Sequence, residues 1–247
     1  MPGLAGGQGC SAGEPVQALT SGGLVIMTND SSRYDLVVAY RRMIEAGLGI
    51  GSSGNVSSRT AQGMLITPTG LPPTALAAEQ MVEMSLLGQV SDGQLRPSSE
   101  WHMHAAIYRA RPDINAVVHC HSRHATILAC AHRPIPAIHY MIAITQVDEV
   151  PLAPYATFGT EALADSAVQA LGQGRACLLA NHGQITAGAD LDQALAVAME
   201  VEELAAIYWG SLAIGGGQIL SPEAMVNVRA AFAGYGQQHE ENIDKNV

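Results

Sequence analysis

The chain has 247 residues, with 48% hydrophobic and 14% charged, a length that one large domain can accommodate and an apolar content that also suits contact between subunits of a homo-oligomer. Its net charge of −10, with no cluster of Lys and Arg, excludes nucleic acid and anionic lipid as partners. Any phosphate must then be gripped mainly by backbone N–H groups and hydroxyls. Cys10, Cys120, Cys130 and Cys177 form no C-x-x-C pair, the start has no basic n-region, and the apolar-rich stretch 191–214 carries Asp192, Glu200, Glu202 and Glu203. The expectation is a soluble, cytoplasmic protein in a reducing compartment.

Residues 1–30 are rich in Gly, Ser and Ala without a sustained period and read as a weakly ordered arm, leaving 31–247 as the folded domain. Ser32 and Asp35 resemble a capping box, followed by a helical stripe of Leu36, Val37, Tyr40 and Ile44 that Gly47 can end. After the glycine-rich GLGIGSSGN, the runs NVSSR and GMLIT predict a hairpin. Leu71 to Leu87 contains a helical turn led by Thr74 and an apolar run, and a helix is predicted from about Ser98 to Pro112. INAVVHCH reads as a buried strand followed by a helix over 124–131; RACLLANHG repeats the strand with a histidine at its exit. The clearest helix is Leu191 to Ile214, stopped by Gly215 to Gly217. Mixed strands and helices without a repeat predict a single α/β domain: a mainly antiparallel central β-sheet flanked by helices.

His119 and His121 carry the strongest chemical signal. Residues i and i+2 of a strand share a face, so both imidazoles project to one side while Cys120 points to the other. His182 follows a second apolar strand, and three protein ligands with an open position is the arrangement of catalytic zinc. Two readings stand at this point: ligands of one cation, or partly buried imidazoles satisfied by backbone carbonyls. The metallo-hydrolase pattern H-x-H-x-D-H fails because Arg123 stands where a carboxylate is needed. Gly49 to Gly54 matches G-x-G-x-x-G, but it follows a helix and precedes a strand, the wrong context for a dinucleotide. The same glycines, with Asn55, form a small anion-binding nest. Thr67 to Gly70 and Arg96 to Ser99 are further hydroxyl-rich turns, the second at a helix N-terminus. Glu100 follows directly, either as a solvated helix cap or as a carboxylate beside that site. His102, His104, His124, His132 and His139 exceed what one metal needs and read as structural or supporting.

The pieces GSSGNVSSR, LITPTG, PSSEWHMH, AVVHCH, IPAIHYMIA, APYATFGT, LLANHG and AFAGYG, in that order over Tyr34 to Gly236, resemble the class II aldolase/adducin family, most closely its L-fuculose-phosphate aldolases. The resemblance implies a C4 homotetramer with active sites at subunit interfaces. It implies Zn²⁺, with Mn²⁺ or Co²⁺ as alternatives, on His119, His121 and His182, with Glu100 as a displaceable fourth ligand. Phosphate would lie at Gly54, Asn55, Thr69, Gly70, Ser98 and Ser99. Tyr140 would reach the site from a neighbouring subunit, and Phe158, Phe232 and Tyr235 would lie near the aldehyde end. The implied reaction is reversible cleavage of a 1-phosphoketose to dihydroxyacetone phosphate and a short aldehyde, with Glu100 and Tyr140 moving protons. Candidate substrates are L-fuculose 1-phosphate, 5-deoxyribulose 1-phosphate and 5-methylthioribulose 1-phosphate. Epimerase, decarboxylase or dehydratase chemistry on a similar phosphate is the alternative.

Overall fold

The computed structural model describes residues 29–232; residues 1–28 of the expected arm and Tyr235 lie outside them. Helix α1 spans Asn29–Glu45, so it is already under way at Ser32, and the capping box expected there is not one. Its buried stripe is Leu36, Val37, Tyr40 and Met43, with the expected Ile44 only half-buried against the same core. Gly47 at φ +74° ends it as expected, with the Leu48 N–H donating back to the Met43 carbonyl at 3.1 Å; only glycine takes that left-handed turn cheaply.

Strands β1 (Asn55–Thr60), β2 (Gly63–Ile66) and β3 (Val82–Met84) form a meander; α2 (Trp101–Ala110), β4 (Ala116–Cys120) and α3 (Arg123–Cys130) follow. Next come the short strands β5 (Ile135–Pro136), β6 (Glu149–Val150) and β7 (Leu152–Ala153), then α4 (Glu161–Leu171). The chain continues with β8 (Ala176–Leu179), β9 (Gly183–Gly188), α5 (Leu191–Leu212) and α6 (Pro222–Phe232). Seven strands make one sheet in the order β3-β2-β1-β4-β9-β8-β7; within it the β7–β8 pair alone is parallel, as a mainly antiparallel reading requires.

Alternation along β4 sorts the layers. Val117 faces a core built with α2 and α4, while Val118 and Cys120 face α1 and α5. Each fully buried valine contributes about 1.5–3 kcal/mol relative to exposure. Helix α4 was not anticipated, although Thr160 caps it by accepting from the Leu163 N–H and Leu163, Ala164, Ala167 and Leu171 line its buried face. Arg59 of β1 anchors the other helix of that layer, donating to the carbonyls of Tyr108 and Arg111 at 2.8 and 2.9 Å, where a cation also suits the negative end of the α2 dipole. No described helix is long and apolar enough to cross a membrane.

Candidate metal centre

Sheet register assembles the site. In β4, His119 lies opposite Asn55 of β1 and Ile185 of β9, and His121 follows two residues later just beyond the strand. The hairpin between β8 and β9 turns through Asn181 at φ +56°, which brings His182 up beside them. Gly183 permits this close approach, since a Cβ there would lie 2.5 Å from the Cys120 carbonyl oxygen and 3.0 Å from the His121 ring. Gly54 does the same on the β1 side, where a Cβ would lie 2.7 Å from the His119 carbonyl oxygen. Glu100, directly before α2, completes the group.

The three imidazole centroids form a triangle with sides of 4.7, 4.9 and 5.0 Å. Glu100 lies 3.1 Å from the Nε2 of His119 through Oε2 and 3.1 Å from the Nε2 of His182 through Oε1. One donor atom from each of Glu100, His119, His121 and His182 falls within 4.8 Å of the others. The donor set fits a divalent cation on three observations. His119 donates its Nδ1–H to the Gln184 carbonyl at 2.8 Å, which leaves the Nε2 lone pair facing inward, the usual second contact of a ligating histidine. That Nε2 lies 3.0 Å from the Nε2 of His121, an approach of two nitrogens that calls for something electropositive between them. Finally, Glu100 Oε1 is buried without a hydrogen-bond partner, and a buried orphan of this kind costs about 1–3 kcal/mol or more.

Electrostatics agree. Burial alone would raise the Glu100 carboxyl, but the His119 and His182 rings, 3.1 Å from its two oxygens, outweigh it and hold the group well below the usual carboxylate range. His121 is pushed down to about 4 by burial and by its neighbours His119 and His182, so it is neutral at pH 7, the state a ligand needs. His119 is opposed by burial but raised by the Glu100 carboxylate.

The other expected residues divide. The two hydroxyl-rich turns are joined, with the Ser98 N–H donating to the Thr67 carbonyl at 3.0 Å and the Thr69 N–H to the Arg96 carbonyl at 3.1 Å. Thr69 Oγ1 and Ser99 Oγ lie 3.4 Å apart, and both residues are exposed beside Gly70. Ser98 is buried and its Oγ accepts from the Glu100 N–H at 3.3 Å. Asn55 is 3% exposed, and its side chain is engaged with Glu100 and His104. Phe158 is 65% exposed and precedes Gly159, which is packed against the Ser99 carbonyl. Tyr140 is 48% exposed; its ring contacts are with His139 and with Phe232, 6.4 Å away, and among the described residues no hydrogen bond or ring contact joins it to the histidine cluster. A cavity of about 810 Å³, lined by Gly49, Ile50, Arg123 and Ile127, opens beside His121.

The sequence reads His104 as structural or supporting and assigns Ser57 and Tyr108 no part in the site. Behind Glu100 they form a buried run of bonds: Asn55 Nδ2 to Glu100 Oε2 at 3.0 Å, Asn55 Oδ1 with His104 Nε2 at 2.6 Å, His104 Nδ1 with Ser57 Oγ at 2.7 Å, and Ser57 Oγ with Tyr108 OH at 2.7 Å. The signal was present as spacing. Glu100 at the N-cap of α2 and His104 and Tyr108 within it recur every four residues, and Asn55 and Ser57 share a face of β1. Burial, reinforced by the His119 charge, pushes His104 down to about 3 against the opposing pull of Glu100. Between that value and the ordinary 6.5, the unfolded chain binds a proton that the folded chain refuses. Stability is therefore fully present above that window and falls as pH is lowered through it. His104→Gln should flatten this acid limb by a few kcal/mol, as order of magnitude, in denaturant melts between pH 7 and pH 4. Parallel limbs in the two proteins would contradict the assignment.

Residues 34–209 match the family described as Class II Aldolase and Adducin N-terminal domain. The chain is 45% identical over 201 residues to an L-fuculose phosphate aldolase of Haemophilus influenzae, covering 81% of this chain and 93% of the relative. It is 43% identical over 204 residues to a 5-methylthioribulose-1-phosphate/5-deoxyribulose-1-phosphate aldolase of Rhodospirillum rubrum, covering 83% and 92%. Among solved structures it is similar to an L-fuculose 1-phosphate aldolase, with a TM-score of 0.81 and 37% identity over 84% of this chain and 98% of that one. Profile, sequence and fold agree with the chemistry of the four-residue cluster, and the chain belongs to the class II aldolase and adducin family.

Proposed function

We propose that this protein is a metal-dependent aldolase that reversibly cleaves a 1-phosphoketose to dihydroxyacetone phosphate and a short aldehyde, working in the cytoplasm as a C4 homotetramer. The observation that carries the reading is the convergence of three imidazole nitrogens and one buried carboxylate directly beside two joined hydroxyl-rich turns. His119, His121 and His182 would hold the metal, Zn²⁺ by their nitrogen donor set, with Glu100 as a fourth, displaceable ligand. When bound, the cation supplies Lewis-acid stabilisation, roughly several kcal/mol, of the negative charge left on the dihydroxyacetone phosphate fragment.

The rest falls to the chain's own groups. The phosphate end would meet Gly54, Thr69, Gly70 and Ser99, with Thr69 and Ser99 offering exposed hydroxyls, while the buried side chains of Asn55 and Ser98 back this surface from within through their bonds to Glu100. Fixing the shared half of the substrate there orients the bond to be broken. In cleavage, the C4 hydroxyl gives up its proton to solvent as the C3–C4 bond breaks, and Glu100, after taking a proton from solvent, delivers it to C3. In condensation Glu100, kept ionised by its neighbours, takes that proton away. Tyr140 of the partner subunit assists at the C4 hydroxyl. Its exposure, its distance from any contact with its own cluster, and its pairing with Phe232 suit a segment that completes another subunit's site. Phe158 and Phe232 would line the aldehyde end and accept a methyl or a thioether; Tyr235, expected there too, lies outside the described residues.

The named relatives favour aldol cleavage over epimerisation, decarboxylation or dehydration, and they span the candidates L-fuculose 1-phosphate, 5-deoxyribulose 1-phosphate and 5-methylthioribulose 1-phosphate. The test incubates purified protein with each of the three, with and without chelator, and couples dihydroxyacetone phosphate release to NADH oxidation. Chelator-sensitive release from at least one is expected; no release from any would reject the proposal.

A further inference from the structure

We propose that Tyr108, Ser57, His104 and Asn55 form a one-way hydrogen-bond relay that fixes the carboxylate of Glu100 in its working orientation, so that His104, Ser57 and Tyr108 are positioning residues. The inference rests on Glu100 serving the cation and the proton transfer as described above.

The direction of every bond follows from the acceptor at its end. An ionised carboxylate only accepts, so Asn55 must present Nδ2 to Glu100 Oε2. Its Oδ1 then faces His104, and an amide oxygen only accepts, so His104 must carry its proton on Nε2. Burial keeps His104 neutral, so its Nδ1 must accept, and the Ser57 hydroxyl must donate to it. The remaining lone pair of Ser57 accepts from Tyr108. No member can turn without leaving a buried neighbour unpaired, at about 1–3 kcal/mol for each, because Ser57 and His104 are fully buried and Tyr108 and Asn55 nearly so. The outcome at the site is asymmetric. Oε2 is held by Asn55, and Oε1 is left without a hydrogen bond, turned towards His182. Without the relay the Asn55 amide could flip and set an oxygen against the carboxylate.

This gives Asn55 a task different from gripping phosphate, and the two tasks separate experimentally. In Ser57→Ala the His104 tautomer is no longer fixed, and His104→Leu removes the link altogether; His104→Gln can still donate and accept. Four readouts apply: the ¹⁵N imidazole shifts of His104, the Kd for Zn²⁺ of the metal-free protein by chelator competition, the Kd for inorganic phosphate, and kcat against KM. The wild-type protein should show His104 as the Nε2–H tautomer. Ser57→Ala and His104→Leu should lose about 10–100-fold in Zn²⁺ affinity or kcat, with KM and phosphate affinity unchanged within about twofold, while His104→Gln recovers most of the loss. An Nδ1–H tautomer in the wild type, or variants that lose only phosphate affinity, or none of these quantities, would overturn the proposal. If His104→Leu fails to fold, Ser57→Ala, which removes a single oxygen, decides. Wild-type turnover is the control for the reaction itself; the tautomer and the Zn²⁺ affinity judge the relay whether or not turnover is found.

Discussion

Glu100→Gln should lower kcat by about 10²–10⁴-fold, the range lost with a positioned acid–base group, and leave KM for the phosphoketose within a few-fold of wild type. Glu100 is 7% exposed, and its carboxylate is tied to His119, His182 and Asn55. Glutamine keeps the shape and an oxygen that Asn55 can hold, but it cannot accept a proton and return it. The turns at Thr69–Gly70 and Ser98–Ser99 are untouched, so the anchoring of substrate should persist. Steady-state kinetics with metal content measured on the same sample check this. Turnover within about threefold of wild type would remove Glu100 from the proton path, and loss of turnover together with loss of metal would make it chiefly a ligand.

His182→Ala should strip the metal and with it about 10³-fold or more of the activity, since several kcal/mol of charge stabilisation corresponds to three or more powers of ten. His182 is the better choice for this test than His119. The His119 ring is fully buried and bonded to the Gln184 carbonyl, so its removal would orphan a backbone oxygen and open a hole as well as delete a ligand. His182 is partly exposed on a hairpin turn, so its loss should spare the fold and keep the thermal midpoint of the metal-free variant close to that of the metal-free wild type.

How much of this was legible in the sequence follows from the range of each interaction. The α1 stripe, the β1–β2 hairpin, the β4 alternation and the His119–His121 pair all rest on contacts set by local period, and all appear where the residues placed them. The seven-stranded order depends on pairings between segments far apart in the chain, such as Val117 of β4 with Ala187 of β9, and no local pattern specifies those. Helix α4 was missed although Thr160 and Gly172 punctuate it, because its small alanines blur the apolar stripe. The convergence of His182 with the other histidines was reached by analogy of strand-exit context; its physical cause, the positive-φ turn at Asn181 and the bare Gly183 against Cys120, is tertiary. Asn55 was read as a backbone-rich anion loop residue, whereas its side chain faces inward because β1 begins at that residue and its alternation fixes the face. The four-residue recurrence of Glu100, His104 and Tyr108 was visible, but it carries meaning only once Asn55 and Ser57 are known to face it.

The most direct test of the account is the metal content of purified, dialysed protein, measured by elemental analysis alongside dihydroxyacetone phosphate release, for wild type and His182→Ala. The account predicts one tightly held divalent ion per wild-type chain, its anomalous scattering centred among the Nε2 atoms of His119, His121 and His182, with ion and turnover lost together in the variant. A metal-free wild-type preparation with full turnover, or a variant that loses the ion and keeps its rate, would contradict it.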